Sequence, residues 1–494
     1  MTVPDVDIII IGAGLAGINT AYRIHTNLPN HRYIVLESSS QVGGTWQTFR
    51  YPGLRADSDI YTYSYPWYPW TTKTSASPRA DGPAILQYLK DAARSFGMDA
   101  AGRLYLEHKV ATAEWETSRR RWRVSSEHKG RTAEFHARFI IYTTGIFSHG
   151  EPRDDVHIPG LGAFGGRVVH PQFWPQDLDH RGKRIIIVGS GATAITLLAE
   201  LAKTAAHVTM VQRSPAYLVS LPGARYDLSA RWLRTGQAAE WVFRLKRWLW
   251  LSSVRAFFVL CLWLPGLMRW ILISLVRWQL PSDIPVDPHF TPRYAPWDQR
   301  PNICFDGEVF KALRSGSASV ELGHIERVDL HGVKLHTGKY IQGDVIIQAT
   351  GLKVQFAGGS KIVVDAKTVN PGRQLAWNLC MLQDVPNAGF VAGYAHTSWT
   401  LGADARAWLL CRVIRESKDR RMDVVVPTFR GRASLAGPCV RLRSSYILAQ
   451  ETCLPRVTTD GPWKAGSQVY MSDYIFARYG RIDPGLEWVP RPSA

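Results

Sequence analysis

Ile8-Ile-Ile-Ile11-Gly12-Ala-Gly14-Leu-Ala-Gly17 is the stretch from which the rest of the chain can be read. An unbroken apolar run suits a strand covered on both faces of a parallel sheet. Gly12 lets the chain turn, and Gly14 lets backbone amides approach a pyrophosphate where the next helix starts with Leu15 and Ala16. Gly17 lets that helix pack closely. A second apolar run, Tyr33–Leu36, ends at Glu37, placed 20 residues after Gly17 to bind a ribose 2′-hydroxyl. Strand, glycine turn, helix, strand and acid together predict a dinucleotide-binding unit.

The unit recurs. Arg184–Val188 runs into Gly189-Ser-Gly191-Ala-Thr-Ala194, with Ala192 and Thr193 inside the turn and Ala194 in the third glycine position, and a helix follows over 197–201. The next strand, over 208–211, ends in Gln212-Arg213-Ser214 where the first copy has Glu37. A carboxylate would repel a 2′-phosphate, whereas Arg213 welcomes one. FAD is therefore expected at the first site and NADPH at the second; the alternative for Arg213 is a solvated surface charge. The fold class is α/β, with two Rossmann-like domains.

Between the two copies lies Phe164-Gly-Gly166-Arg-Val-Val-His170-Pro-Gln-Phe-Trp174, which reads as a connector between two cofactor sites. The loop Gly43-Gly44-Thr45-Trp46, then Arg50-Tyr-Pro-Gly53 and Asp57-Ser-Asp59, is either a plain surface turn region or the wall around a planar ring. Residues 344–347 form another buried-strand run, followed by Gln348-Ala-Thr350-Gly351, an echo of Thr144-Gly145 that predicts a return to the first domain. The expected division is a first domain over 1–148 and 349–494, a second over 149–222 and 300–348, and a helical insert over 223–299.

A chain of 494 residues, 46% hydrophobic and 20% charged, is long enough for two or three folded domains. Its formal charge of +18 is spread along the sequence with no nucleic-acid signature, so nucleic acid is not an expected partner. Six scattered cysteines without a Cys-x-x-Cys pair argue against a zinc site or a redox dithiol and fit a reducing cytosol. Asp5 and Asp7 stand where a secretion signal would be basic, so a cytoplasmic location is expected.

The middle of the chain changes character. Trp232, Trp241, Trp248, Trp250, Trp263, Trp270 and Trp278 are seven of the nineteen tryptophans. The longest uncharged run, 256–268, contains Pro265 and falls short of the roughly 20 apolar residues of a membrane span. Two readings remain: core-packing helices, or helices over 241–278 that rest on the inner face of the cell membrane and admit a lipophilic substrate. The region 420–443 is basic and poorly patterned.

These motifs, in this order, resemble the class B flavoprotein monooxygenases. The segment Phe164-x-Gly166-x-x-x-His170-x-x-x-Trp174-Pro175 is similar to the pattern of their Baeyer–Villiger members. The resemblance implies roles by position: Asp57 as the active-site acid, Arg300 in Pro296-Trp-Asp-Gln-Arg300 as the catalytic arginine, and Arg213 on the NADPH phosphate. Phe164, Gly166, His170 and Trp174 are then linker residues, while Gly44, Thr45, Trp46, Asp57, Tyr63, Thr350 and Gly351 surround the flavin. Gln47, His396 and Gly402 depart from the residues close relatives carry. The implied reaction is oxygenation by NADPH, FAD and dioxygen of a ketone, or of sulfur or nitrogen. The competing reading is a membrane-surface NADPH oxidase or electron carrier, since a disulfide reductase would need paired cysteines.

Overall fold

The computed structural model describes residues 5–70, 79–100, 102–221, 237–431, 437–440, 442–465 and 469–491. Trp232, the start of the insert and residues 432–436 and 441 of the basic region lie outside them.

Strand β1 (Asp5–Ile11), helix α1 (Leu15–Asn27) and strand β2 (Tyr33–Leu36) build the predicted unit. The isoleucine run is apolar throughout because both faces of β1 are covered. Ile8 and Ile10 pack with Ile18, Ala21 and Ile24 of α1. Ile9 and Ile11 pack on the other face with Trp115, Trp122 and Phe135. Each such fully buried side chain stabilises the fold by roughly 1.5–3 kcal/mol. The second layer comes from an antiparallel meander, β3 (Lys109–Glu116), β4 (Arg121–His128) and β5 (Arg131–Tyr142), whose last strand pairs in parallel with β1 through Ile8 and Phe139.

A second, five-stranded sheet contains β6 (Arg167–Val169), β7 (Arg184–Val188), β8 (His207–Gln212), β9 (Ala318–Leu322) and β10 (Val345–Gln348) in the order β9-β8-β7-β10-β6. Helix α2 (Ala192–Leu201) follows β7. Ile185 and Ile187 face one core and Ile186 the other, the same two-sided burial as in β1. After β10 the chain re-enters the first sheet, where Lys361–Val364 pairs with β3 and Ala388–Phe390 with β5. The long helix Trp399–Asp419 is tied to α1 by a buried ion pair, Arg23 Nε to Asp404 Oδ1 at 2.8 Å.

The tryptophan-rich region forms two helices, α3 (Gln237–Trp263) and α4 (Pro265–Gln279), bent by 116°. Pro265 begins α4, where its missing N–H costs nothing. Among the described residues, no single helix is long and apolar enough to cross a membrane. The inner face buries Phe243, Cys261, Met268, Leu272 and Val276. The outer face leaves Trp241, Trp248, Trp263, Trp270 and Trp278 exposed, Trp263 by 80% and Trp278 by 84%. Core packing thus accounts for one face only. Three of the region's basic residues turn inward. Lys246 reaches the Tyr61 hydroxyl at 2.9 Å, Arg247 donates to the Ser64 carbonyl at 3.2 Å, and Arg269 donates to the Tyr217 hydroxyl at 2.9 Å. Arg244, Arg255 and Arg277 remain exposed.

Candidate active site

The first glycine turn is a cradle whose dimensions exclude side chains. Gly12 has φ +103°, and a methyl group on Gly17 would collide with the Gly12 carbonyl. Thr143 at the end of β5 locks the turn, its hydroxyl donating to the Gly12 carbonyl at 2.7 Å. Gly14 begins α1 without a side-chain cap, leaving the first helical amides, at Leu15, Ala16 and Gly17, facing outward for an anion. Gly44 lies against Gly14, and a methyl group on Gly44 would come within 3.0 Å of the Gly14 Cα. Glu37 is buried, its Oε2 accepting from the Ala13 amide at 2.6 Å and its Oε1 from the Ser39 amide at 2.8 Å. Thr45 meets His149 at 3.2 Å, and burial lowers the His149 pKa against the pull of Glu37. Trp46 donates from Nε1 to the Tyr63 hydroxyl at 2.7 Å, with the two rings edge to face.

At the second turn, Gly189 has φ +138° and sits where a methyl group would strike the Ala349 carbonyl. Gly191 opens α2 with free space beside it, followed by Ala192 and Thr193, while Ala194 is fully buried. Ser190 donates to the Ser214 carbonyl at 2.8 Å, which draws the turn to the end of β8. There the expected pair divides: Gln212 is buried and donates to the His289 carbonyl at 2.6 Å, whereas Arg213 and Ser214 are exposed.

The loop 50–57 joins the two turns. Tyr51 approaches Thr193 of α2, and burial pushes its hydroxyl up to about 12. Gly53, at φ +74°, packs within 3.1 Å of Thr196 and 3.2 Å of Glu200 when given a methyl group. Arg55 pairs with Glu308 at the start of the helix Glu308–Arg314. Burial raises the Asp57 pKa above the ordinary carboxylate range, Arg300 and then Arg55 draw it back, and Glu308 pushes it up again. Arg300 acts likewise on Tyr63 and Tyr446, whose hydroxyls burial raises. Asp57, Tyr63 and Tyr446 therefore share the field of one guanidinium.

The connector is built into the second sheet. Phe164 is buried, and a methyl group on Gly166 would collide with the Asp344 carbonyl and lie 2.7 Å from the Phe164 ring. Burial lowers the His170 pKa, while its proximity to the Gly351 backbone raises it. Trp174 packs against the second core, as Tyr51 does. Thr350 is held through its carbonyl by Arg153 at 2.9 Å, and Gly351 has φ +106°. Tyr51, Arg55, His149, Glu308 and Tyr446 were not singled out from sequence. Tyr51 lies inside a motif that was quoted; the other four carry no local signal, being defined by partners far away in the chain.

Two uncapped helix starts, each with a glycine cradle, fit two dinucleotides, and no group of three metal-ligating side chains occurs among the described residues. Residues 9–233 match the family model described as pyridine nucleotide-disulphide oxidoreductase. The chain is 37% identical to the FAD-containing monooxygenase EthA of Mycobacterium tuberculosis over 495 aligned residues, covering 99% of this chain and 98% of that one. The chain belongs to the FAD-containing monooxygenases. Another member of this family, the probable FAD-binding monooxygenase AlmA of Acinetobacter baylyi, is 34% identical, covering 97% of this chain and 95% of that one. The fold of this monooxygenase is shared with a steroid monooxygenase solved with NADP, at TM-score 0.78, 21% identity and coverage of 99% and 100%. It is also shared with the cyclohexanone monooxygenase from Rhodococcus, at TM-score 0.76, 18% identity and the same coverage.

Proposed function

We propose that this FAD-containing monooxygenase takes electrons from NADPH and inserts one oxygen atom into a lipophilic ketone, or adds it to sulfur or nitrogen. What supports this reading is the pair of glycine-cradled, uncapped helix starts, with Gly44 and the Trp46–Tyr63 pair against the first and the charge of Arg300 acting on Asp57 and Tyr63. The amides following Gly12 and Gly14 hold the FAD pyrophosphate, Glu37 its ribose, and Gly44, Thr45, Trp46, Tyr63, Thr350 and Gly351 surround the flavin end. Gly189, Gly191, Ala192, Thr193 and Ala194 hold the NADPH pyrophosphate, with Arg213 and Ser214 at its 2′-phosphate. Bound FAD, once reduced, supplies the activation of dioxygen.

Arg300 keeps a permanent positive charge at the reacting centre and stabilises negative charge developing on oxygen. Asp57 holds that guanidinium in place. Phe164, Gly166, His170 and Trp174 link movement of the two bodies, divided at 148, 222, 299 and 348. The exposed face of α3 and α4 rests on an anionic membrane surface on the cytoplasmic side, where a lipophilic substrate is dissolved. Aromatic area exposed on one side of paired amphipathic helices supports this, as do Arg244, Arg255 and Arg277 around it.

The test is the ratio of oxygenated product to NADPH consumed across panels of ketones and sulfides. Product in proportion to NADPH is expected. NADPH consumption that yields hydrogen peroxide alone would mark an oxidase and overturn the reading.

A further inference from the structure

The loop that ends in Arg300 is held at several points, and one of them is the exposed helical hairpin. Its start is fixed by Arg269 of α4, which donates to the Pro292 carbonyl, and by the Tyr217 hydroxyl, which donates to the Tyr294 carbonyl at 2.8 Å. Its middle is closed at Asp298, whose carbonyl accepts from the Arg443 amide at 3.0 Å and whose amide donates to the Ala295 carbonyl at 3.1 Å. Between these points Trp297 has φ +77°, a left-handed backbone that a bulky side chain rarely adopts. Such a conformation persists only where the surroundings over-determine it. What surrounds the indole is α3: the Phe257 ring lies 5.4 Å away at 89° and the Phe258 ring 5.7 Å away at 57°. Phe258 also stacks on His396, 5.4 Å away at 30°. The indole N–H is buried and meets no acceptor among the described residues, so ring contacts, not a hydrogen bond, fix the side chain.

We propose that Trp297 is the positioning residue for Arg300 and that Phe257 and Phe258 of α3 hold it in place. This rests on the role of Arg300 given above. A displacement of the guanidinium by a fraction of its side-chain length leaves binding intact but spoils the geometry on which transfer of oxygen depends. Each NADPH and dioxygen then yields hydrogen peroxide instead of oxygenated product and water.

The holoenzyme and the variants Trp297→Ala, Trp297→Phe, Phe258→Ala and Arg300→Ala are compared with methyl phenyl sulfide and 2-decanone as probes. The readouts are FAD content, KM for NADPH, and product and peroxide formed per NADPH. Trp297→Ala and Phe258→Ala should each lower product per NADPH by about threefold or more, with peroxide making up the balance and FAD content and KM unchanged. Trp297→Phe should restore coupling, and the double alanine variant should be no worse than Trp297→Ala, because the two rings act as one contact. Wild-type coupling in Trp297→Ala, additive losses, or loss of FAD in that variant would overturn the proposal. Wild-type product yield in Arg300→Ala, or no product from the wild-type enzyme with either probe, would instead remove the reading on which it stands.

Discussion

Arg55 and Glu308 form a two-pronged ion pair, with Nη1 to Oε2 at 3.0 Å, between the loop 50–57 and the start of the helix Glu308–Arg314. Both side chains are largely buried, at 12% and 23% exposed. Beside them Arg79 stacks on Phe305, with its guanidinium carbon 3.3 Å from the ring centroid, and burial followed by repulsion from Arg55 lowers its pKa to about 10. It remains a cation at neutral pH. Asp57 thus sits among three arginines, one of which Glu308 already engages.

That arrangement sets a pH dependence. The Asp57 pKa is raised by burial, so on acidification it takes up its proton above the ordinary aspartate value of roughly 3.9. Oxygenation should fall on an acid limb displaced upward, because a neutral Asp57 no longer attracts the Arg300 guanidinium. Glu308→Gln releases Arg55 to act on Asp57 and should move the limb to lower pH, while Asp57→Asn should abolish it. The sign for stability is opposite: the protonated form is favoured by the fold, so this contribution is present below the unfolded pKa and lost as pH rises through the folded one. Profiles of product formation against pH for the three proteins check the direction; an unmoved limb in Glu308→Gln would refute the assignment to Asp57.

Gly14→Val should yield protein that lacks flavin. The Gly44 Cα already lies 3.4 Å from a methyl group at Gly14, so a branched side chain fills the cradle meant for the pyrophosphate. The absorbance ratio of flavin to protein measures this, and a full complement of FAD in the variant would contradict it.

Arg213→Ala should weaken NADPH far more than NADH. With Gln212 occupied by the His289 carbonyl, Arg213 is the exposed cation at the end of β8. A guanidinium–phosphate contact is worth about 1.5–3 kcal/mol, or roughly ten- to a hundredfold in KM. Equal losses with both coenzymes would leave Arg213 a structural residue.

Flotation with vesicles of phosphatidylglycerol and phosphatidylcholine should carry the protein upward. Since Lys246, Arg247 and Arg269 are turned inward and Arg244 pairs with Glu240 at 2.7 Å, about 1 kcal/mol each comes only from Arg255 and Arg277. Salt should therefore weaken binding modestly, while Trp263→Ser with Trp278→Ser should abolish it. Protein remaining at the bottom at low and high salt would end the membrane reading.

The fold class was legible because four consecutive isoleucines before a glycine turn admit only a strand covered on both faces, and β1 is covered on both. Of the meander β3–β5 only the apolar end of β5, Phe139–Tyr142, reads as a strand; the rest went unread, because its strands mix exposed and buried positions, as Lys109–Glu116 does, and no motif marks them. Trp297 stands inside the Pro296–Arg300 motif without being singled out, and Glu308 carries no signal. The first matters through a backbone angle, the second through a partner 253 residues away, and neither property is written in neighbouring letters.

The order in which the sheets close has a consequence during synthesis. Every strand of the second sheet lies between residues 167 and 348, so that sheet can be complete while the ribosome is still working. The first sheet begins at residue 5 yet waits for Lys361–Val364 and Ala388–Phe390. The amino-terminal half of the nascent chain must therefore persist with an open edge beside a finished neighbour. Such unpaired edges recruit other chains, so conditions that slow translation between residues 142 and 388 should be the ones under which this enzyme needs chaperones most.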